Sequence, residues 1–353
     1  MKVSSELIPI GKISMIAKHG DFSALISEVE VEFGVEVLKV AELGGEVDLN
    51  LRAQCTDGRA LFIKCTRVQT GIDISWQWRL LEHMALHDAR IPVPRVLRTL
   101  SGEPEITATH CGSVLQVRVM TWLDGGVIGR ADRVDFQLLS EVGTIAGNMF
   151  NSLQSVDRSG IPTTHHWDVR HQRDAIGWGI DFVKDPANLI AIEAILKKCE
   201  PVEPYLARLP TGLVHQDLND FNVLVDQSPD ERFRVTGIID FGDALDTVRV
   251  AEVVVAGAYA MLRQQDPLGA LSAVVAGFNS VVPLTEMEIA VIFPLASARL
   301  CLNACTWTKR TAIDPRPYGV SRMLHTWPAI HFVAPLRAEQ ALSCIKIACK
   351  ILG

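Results

Sequence analysis

The sequence lacks the cysteine patterns typical of a zinc site or a disulfide framework. Its eight cysteines include no C-x-x-C pair and no metal-ligand spacing with histidines. Cys301 and Cys305 lie one helical turn apart, and Cys344 and Cys349 lie near the end of the sequence. A structural zinc site is one interpretation of these pairs, but buried free thiols are the commoner state. We therefore expect free thiols and a reducing, cytoplasmic compartment.

Positive charge is also scarce. Lysine and arginine number 34 against 41 aspartates and glutamates, for a net charge of −7. This balance argues against nucleic-acid binding through the overall field of the protein. It is compatible with an anionic ligand, because a local Mg²⁺ ion and lysines hold phosphates inside acidic proteins.

No apolar run is long enough to predict a membrane span. The most apolar window, residues 250–262, lies between two arginines, and the run 289–302 contains Pro294 and Arg299. Both windows predict buried core helices. Residues 1–13 show no signal-peptide pattern. We expect no membrane partner, and neither repeats nor low-complexity segments occur.

The order of the patterns predicts two lobes. At 353 residues, 48% of them hydrophobic, the chain is long enough for two compact bodies. Strand patterns lie at 35–43, 47–55, 61–65, 105–109 and 113–121, with helix patterns at 21–33 and 73–88. Further helix patterns lie at 135–154, 190–199, 248–263, 270–281, 284–310 and 337–352, with a break expected at Pro294. We expect an α+β fold with a β-rich N-terminal lobe, residues 1–121, and a helical C-terminal lobe, residues 122–353.

One stretch, residues 212–243, carries the chemistry. Apolar runs at 223–225 and 235–239 flank a polar turn, which predicts a β-hairpin. His215, Asp217 and Asn222 lie just before the hairpin, and Asp240, Phe241 and Gly242 follow its second strand. The strand ends thus place two carboxylates and a carboxamide at one edge of a small sheet. Mg²⁺ takes oxygen ligands of this kind together with phosphate oxygens. The pattern H-x-D-x-x-x-x-N followed by D-F-G is typical of phosphoryl transfer in protein kinases.

Each of these residues also has an ordinary structural interpretation. Asp217 and Asn222 are residue types that favour turns, and Asp240 is a common helix cap. Their joint spacing, with apolar strands on both sides, favours the phosphoryl-transfer interpretation.

The N-terminal lobe offers candidates for nucleotide binding. Lys64 ends an apolar strand, where a lysine is costly to bury without a partner, so it is a candidate for gripping phosphates; the alternative is an edge-strand lysine that faces solvent. Gly44 and Gly45 could let backbone amides approach phosphates, although neither a G-x-G-x-x-G motif nor a P-loop is present. The strand 113–121 exits towards Gly125-Gly126, a natural hinge, which predicts that the backbone of Val119 to Thr121 pairs with a nucleobase.

Several stretches carry a family resemblance. VHQDLNDFNVLVD and VTGIIDFGDAL, together with LFIKC, TWLDG and the HHWD segment, resemble the aminoglycoside phosphotransferase and choline kinase superfamily. These are small-molecule kinases with a protein-kinase-like bilobal fold. The likeness covers nearly the whole chain, and within the superfamily it is most similar to hydroxylysine kinase.

The resemblance implies roles for individual residues. Asp217 accepts a hydrogen bond from the acceptor hydroxyl as positioner or general base, and Asn222 and Asp240 hold Mg²⁺. Lys64 grips the α/β-phosphates of ATP or GTP. His215 is expected to brace the catalytic loop by hydrogen bonding, and Glu252 to brace it from below.

The resemblance also suggests an acceptor, a small hydroxylated molecule carrying an amine. Asp243 is expected to orient the loop or contact a cationic substrate. Trp167 and Asp168 offer an aromatic face and a carboxylate suited to an amine; the alternative is a core-covering tryptophan and a loop cap. Arg299 binds a substrate carboxylate or pairs with a structural acid. Hydroxylysine or a related amino alcohol leads, with aminoglycosides, choline, ethanolamine and homoserine as alternatives.

Two departures from the family pattern keep a second hypothesis open. Gln216 stands between His215 and Asp217, where the family usually has glycine. Gln77 stands where a glutamate is expected to pair with Lys64, and the next carboxylate is Glu82. A nucleotide-binding pseudokinase or regulatory module is therefore the rival, whereas the missing A-P-E signature disfavours a protein kinase. Monomer and homodimer both remain open.

Overall fold

The computed structural model describes residues 21–43, 45, 48–69, 73–228, 231–315 and 317–350. The chain divides into two compact units, Met1–Asp124 and Gly125–Gly353. The boundary predicted from sequence lay just before, after residue 121. The first unit contains a sheet and the second is mainly helical, so the predicted α+β organisation is confirmed.

The first unit is built around one antiparallel sheet. Its elements are α1 (Ser23–Phe33), β1 (Val37–Leu43), β2 (Leu49–Cys55), β3 (Ala60–Arg67), α2 (Trp76–His87), β4 (Val96–Leu97), β5 (Ile106–His110) and β6 (Ser113–Thr121). The strand order is β1-β2-β3-β6-β4, and β5 also pairs with β6. The predicted strands are confirmed, and only β4 was missed.

Helix α1 shows how local sequence sets an element. The Asp21 carboxylate accepts a hydrogen bond from the Ser23 N–H at 2.9 Å, next to the start of the helix. Gly34 follows its last residue with φ +62°, the left-handed conformation that glycine adopts without cost. Leu25 and Val29 are fully buried in the same hydrophobic core as the strands. The predicted helix is therefore confirmed, along with its glycine stop.

The second unit combines helices with short strand pairs. Its elements are β7 (Gly126–Val127), α3 (Phe136–Leu153), α4 (Gln172–Ile180), α5 (Pro186–Cys199), β8 (Thr211–Val214), β9 (Val223–Gln227), β10 (Phe233–Ile238), β11 (Leu245–Val248), α6 (Val250–Ala260), α7 (Pro267–Asn279), α8 (Glu286–Ile313), α9 (Pro317–Met323), α10 (Thr326–Val333) and α11 (Ala338–Ala348). The sequence patterns had indicated six of these nine helices in their correct places together with the β9–β10 hairpin, namely α3, α5, α6, α7, α8 and α11.

The predicted break in α8 is wrong. Pro294 lies inside a continuous helix of 28 residues. A proline removes one helical hydrogen bond, but this segment is buried and packs against α4, α5 and α6, which stabilises the helical path. By length and composition alone α8 could cross a membrane, yet 94% of its most apolar window is buried within the protein. That burial is the environment of a core helix.

Two antiparallel strand pairs position the polar loops. Strand β8 pairs with β11, β9 pairs with β10, and β7 adds to the other side of β9. The loop 215–222 joins β8 to β9, and the segment 239–244 joins β10 to β11. The Ile239 N–H donates to the Asn222 carbonyl at 3.0 Å. The two polar segments that the sequence singled out therefore lie side by side.

Candidate active site

His215 joins the two polar loops. It is fully buried, and its Nδ1 accepts a hydrogen bond from the Asp217 N–H at 3.2 Å. Its Nε2 must then carry the proton, which it donates to the Ile239 carbonyl at 3.1 Å. Burial lowers the pKa of His215 to about 4, so the ring is neutral at physiological pH. This is the geometry of a brace rather than of a titrating group.

Asp217 is held by donors on both carboxylate oxygens. Oδ2 accepts from the side-chain amides of Asn219 at 2.9 Å and Asn222 at 2.7 Å. Oδ1 lies 3.5 Å from Arg299 Nη2, and the Asp217 side chain is 19% exposed. Burial raises its pKa to about 8, with Asp243 acting in the same direction and Arg299 opposing them. A carboxyl group fixed in this way, and still open on one side, is suited to accepting a proton.

Asn222 and Asp240 fit a divalent cation. The hydrogen bonds of the Asn222 amide within the described chain both come from Nδ2, to the Asp217 carbonyl and carboxylate. Its Oδ1 is therefore the atom presented to a ligand. Asp240 is exposed and has a left-handed backbone, φ +63°. The part of the chain that the structure describes contains no group of three or more His, Cys, Asp and Glu side chains placed to hold a metal ion. A cation at Asn222 and Asp240 would therefore need further ligands, such as the phosphate oxygens that Mg²⁺ takes with nucleotides.

Glu252 of α6 lies beneath the loop. It is fully buried, and Oε2 accepts from the backbone N–H groups of His215 at 2.7 Å and Gln216 at 3.4 Å. Burial raises the pKa of Glu252 to about 8, against the opposing effect of those two hydrogen bonds. The expected brace from below is therefore a contact with the backbone at the start of the loop.

We expect Glu252→Gln to flatten the pH dependence of thermal stability. The pKa of the Glu252 carboxyl group is 4.5 in the unfolded chain and about 8 in the folded protein. Between these two pKa values the folded state holds a proton that the unfolded state has lost. The stabilisation from this proton is lost as the pH rises through the folded pKa. Glutamine keeps an oxygen acceptor for the two N–H groups but does not ionise.

The measurement is the melting temperature from about pH 5 to about pH 9. The wild type should lose stability towards high pH, and Glu252→Gln should lose less. The exposed Glu32 of α1 supplies the control, since Glu32→Gln should follow the wild type. Parallel curves for Glu252→Gln and the wild type would contradict the expectation.

Arg299 forms a buried ion pair with Asp217. The side chain is 1% exposed, so a substrate carboxylate has no access to it. Its Nη1 donates to the Trp167 carbonyl at 2.8 Å, and its guanidinium stacks over the Trp167 ring with 4.7 Å to the centroid. The substrate-carboxylate interpretation of Arg299 is therefore corrected, whereas the buried ion pair is found, with the candidate catalytic Asp217 as its acid.

The predicted role of Asp168 is also corrected: it is a buried cap rather than a contact of the acceptor. It is fully buried and pairs with Arg170, with 2.6 Å between Oδ2 and Nη2. It also accepts from the Thr247 hydroxyl at 3.0 Å and from the Arg170 N–H at 3.0 Å. With both oxygens engaged away from solvent, Asp168 holds the loop rather than an acceptor amine.

Three further side chains, Trp167, Asp243 and His165, lie near Asp217 or its partner Arg299. Trp167 is half-buried, with one face against Arg299. Asp243 has a side chain 31% exposed, and its Oδ1 lies 3.7 Å from His165 Nε2. Burial lowers the pKa of His165 to about 4. His165 is the first residue of the HHWD segment, and those letters alone gave no reason to place it beside Asp243.

In the first unit, Lys64 has a carboxylate partner that sequence reasoning missed. Its side chain is 13% exposed, and Nζ lies 3.2 Å from Asp48 Oδ2. Gln77 Oε1 instead accepts from Arg118 Nη1 at 2.6 Å. Glu82 forms an ion pair with Arg98. Neither of the two expected partners is therefore the ion-pair partner of Lys64. Arg118 had a signal, a charged residue within the otherwise apolar run of β6.

The nucleobase contact of the backbone of Val119 to Thr121 stays a prediction, and part of that backbone pairs within the sheet. Val119 lies in β6 between Ile63 of β3 and Leu97 of β4. The Thr121 N–H donates to the Arg95 carbonyl at 2.9 Å. These backbone groups are used within the sheet.

Of the two glycines predicted to approach phosphates, Gly44 lies outside the described residues. Gly45 packs so closely on the Asn50 side chain that an added Cβ would lie 2.6 Å from Asn50 Nδ2.

Comparisons with known proteins agree on the family. The model of the phosphotransferase enzyme family matches residues 45–280. Hydroxylysine kinase of Mus musculus is 28% identical over 301 residues, 78% of this chain and 78% of that protein. Hydroxylysine kinase of Danio rerio is 28% identical over 231 residues, 61% of this chain and 63% of that protein.

Solved structures agree on the fold. A structure of an amicoumacin kinase in complex with AMP-PNP and Ca²⁺ aligns with a TM-score of 0.66 at 14% identity, covering 91% of this chain and 97% of that one. A microcompartment-associated aminopropanol kinase aligns with a TM-score of 0.62 at 18% identity, covering 90% and 97%. The kinase-like fold expected from the sequence is confirmed. This chain belongs to the phosphotransferase enzyme family and is a small-molecule phosphotransferase.

Proposed function

We propose that this protein transfers the γ-phosphate of ATP or GTP to a hydroxyl of an amino alcohol or hydroxy amino acid, with a hydroxylysine-like acceptor favoured. The observation that carries the proposal is the Asp217 carboxylate, held by Asn219 and Asn222 and open on one side. The similarity to hydroxylysine kinases, at 28% identity, supports the choice of acceptor.

Each residue of the candidate site has its own role in the proposed reaction. Phosphoryl transfer has a loose transition state, so catalysis consists of alignment and charge neutralisation. Asp217 accepts the hydrogen bond of the acceptor hydroxyl, aligns its oxygen and takes its proton. Asn222 and Asp240 hold Mg²⁺, which when bound neutralises charge on the phosphate oxygens. Lys64 grips the nucleotide phosphates.

The acceptor carries an amine in this proposal. Asp243 supports this, because its partly exposed carboxylate lies near enough to Asp217 to raise the pKa of that group. An ammonium group beside Asp243 is stabilised by charge, and its hydroxyl then faces Asp217. Aminoglycosides, choline, ethanolamine and homoserine are the alternatives within the same reaction class.

The cellular setting belongs to the same proposal. All eight cysteines are free thiols in the structure, which supports a reducing, cytoplasmic compartment. The proposed partners are the nucleotide and the small acceptor, without nucleic acid or membrane, in a monomer or homodimer.

A panel of acceptors tests the proposal. Turnover is measured by coupled nucleotide consumption with hydroxylysine, aminopropanol, ethanolamine, choline, homoserine and an aminoglycoside. The highest kcat/KM is expected for hydroxylysine or a close amino alcohol. Lysine is the matched control, since it lacks only the hydroxyl and should give no phosphorylated product by mass spectrometry. Equal nucleotide consumption with lysine and hydroxylysine would contradict transfer to the hydroxyl.

The second candidate is a nucleotide-binding pseudokinase. Gln77 favours it, because an amide takes the position where a carboxylate was expected to neutralise Lys64. Asp48 weakens that argument by supplying a carboxylate 3.2 Å from Lys64. A thermal shift with Mg²⁺-nucleotide, combined with no transfer to any acceptor of the panel, would select the pseudokinase.

A further inference from the structure

Gln216 has a backbone conformation that glutamine rarely adopts. Its φ is +68°, in the left-handed region, which is unfavourable for a residue with a Cβ. The side chain is also fully buried. A buried amide on a strained backbone, directly before Asp217, is retained only if its contacts offset both costs.

The main contact is the Trp167 carbonyl. Gln216 Nε2 donates to it at 2.7 Å, and Arg299 Nη1 donates to the same oxygen at 2.8 Å. A carbonyl has two lone pairs, so both donors are satisfied at once. One donor comes from the loop that carries Asp217, and the other from α8. The Trp167 carbonyl therefore joins three segments of the second unit at one atom.

The residue that follows this carbonyl is fixed as well. Asp168 is anchored by Arg170 and by the Thr247 hydroxyl. On the other side, His165 Nε2 lies 3.7 Å from Asp243 Oδ1. The segment His165–Asp168 is thus tied down at its last two residues, and it presents the His165 and Trp167 side chains beside the partners of Asp217.

We propose that Gln216 is a positioning residue that sets the distance between Asp217 and the wall formed by His165 and Trp167. It acts through the Trp167 carbonyl and does not touch the acceptor. This inference rests on the phosphotransferase function proposed above, and it gives the segment His165–Asp168 the role of an acceptor wall. Misplacement of such a wall by about 1 Å lowers turnover by up to about 100-fold.

Two substitutions separate positioning from stability. Gln216→Gly removes the donor and relieves the left-handed strain, whereas Gln216→Met removes the donor and keeps the strain. We expect Gln216→Gly to melt at a higher temperature than Gln216→Met. Both variants should nevertheless lose acceptor kcat/KM to a similar degree, about 10-fold or more, with the KM for nucleotide changed less than about two-fold.

Asn303→Leu provides a matched control. Asn303 is a buried amide on α8, one turn beyond Arg299, and its partners are Tyr259 and Thr326. Its removal should lower the melting temperature without changing acceptor kcat/KM. The comparison therefore asks whether the loss of acceptor turnover follows the lost donor of Gln216 or merely a lower stability.

Hydrogen exchange supplies a readout that needs no activity. The backbone amides of residues 163–170 should exchange faster in both Gln216 variants than in the wild type or in Asn303→Leu. Unchanged exchange there, or acceptor kcat/KM equal to that of the wild type in both variants, would overturn the role of Gln216. Absence of turnover in the wild type with every acceptor would instead overturn the proposed function, and the exchange result would still decide whether Gln216 fixes the segment.

Discussion

Asp217→Asn is expected to lower kcat by about 10³-fold, within the range of positioned acid–base groups. Asparagine keeps the shape of the side chain but cannot take a proton from the acceptor hydroxyl. It also replaces one carboxylate oxygen by an amide, either beside the two Nδ2 donors of Asn219 and Asn222 or beside Arg299. Donor would then face donor, so alignment is lost together with basicity.

Nucleotide binding should survive this substitution. Turnover is measured with the best acceptor of the panel, and binding by the rise in melting temperature with Mg²⁺-nucleotide. Asp226→Asn is the matched control, because Asp226 is exposed at the end of β9 and should leave kcat unchanged. An Asp217→Asn enzyme that retains more than about a tenth of kcat would remove Asp217 from the role of general base.

The elements that sequence predicted well are those with local signals. Gly34 marks the end of α1 by its left-handed backbone, and Asp135 caps α3 by accepting from the Leu138 N–H at 2.9 Å. Pro294 is the counterexample, since a local rule predicted a break that burial within the second unit overrides. Helix α4 was missed because it follows a short 3₁₀ turn, Val169–His171, and carries only a weak apolar face.

The candidate site shows the same difference between residues with a local sequence signal and residues without one. Asp217, Asn222 and Asp240 were found because their spacing in the chain is itself the motif. The partners of these and related residues come from distant parts of the sequence, as with Arg299 beside Asp217 and His165 beside Asp243. No spacing rule connects such residues, because the contact depends on how helices and strands pack. The carbonyl of Trp167 carries no sequence signal at all, since every residue has one.

The charges around Asp217 explain why its neighbours matter. Asp243 and Asp240 both raise its pKa, and Arg299 lowers it. A buried carboxylate near two others is unfavourable unless cations balance them. Arg299 is a permanent cation from the protein, and Mg²⁺ at Asn222 and Asp240 supplies further positive charge in the proposed complex. The site is therefore arranged for cations, which agrees with an acceptor that carries an amine.

Asp240→Asn is expected to reduce turnover by at least about 100-fold and to raise the Mg²⁺ concentration needed for half-maximal rate. Loss of a group that only supports a metal ligand costs about 10–100-fold in affinity, and Asp240 is a proposed ligand. Asparagine is the informative replacement because it tolerates the left-handed backbone observed at φ +63°. The change therefore removes charge and leaves the loop conformation in place.

Two measurements follow this change. The first is turnover as a function of Mg²⁺, and the second is the melting temperature with nucleotide at rising Mg²⁺, which needs no catalysis. In Asp240→Asn both curves should move to higher Mg²⁺, while Asp226→Asn should match the wild type in both. If the nucleotide-dependent melting temperature responds to Mg²⁺ as in the wild type while turnover still falls, Asp240 acts on the transferring phosphate or on Asp217 by charge alone, and the metal must be assigned to other ligands.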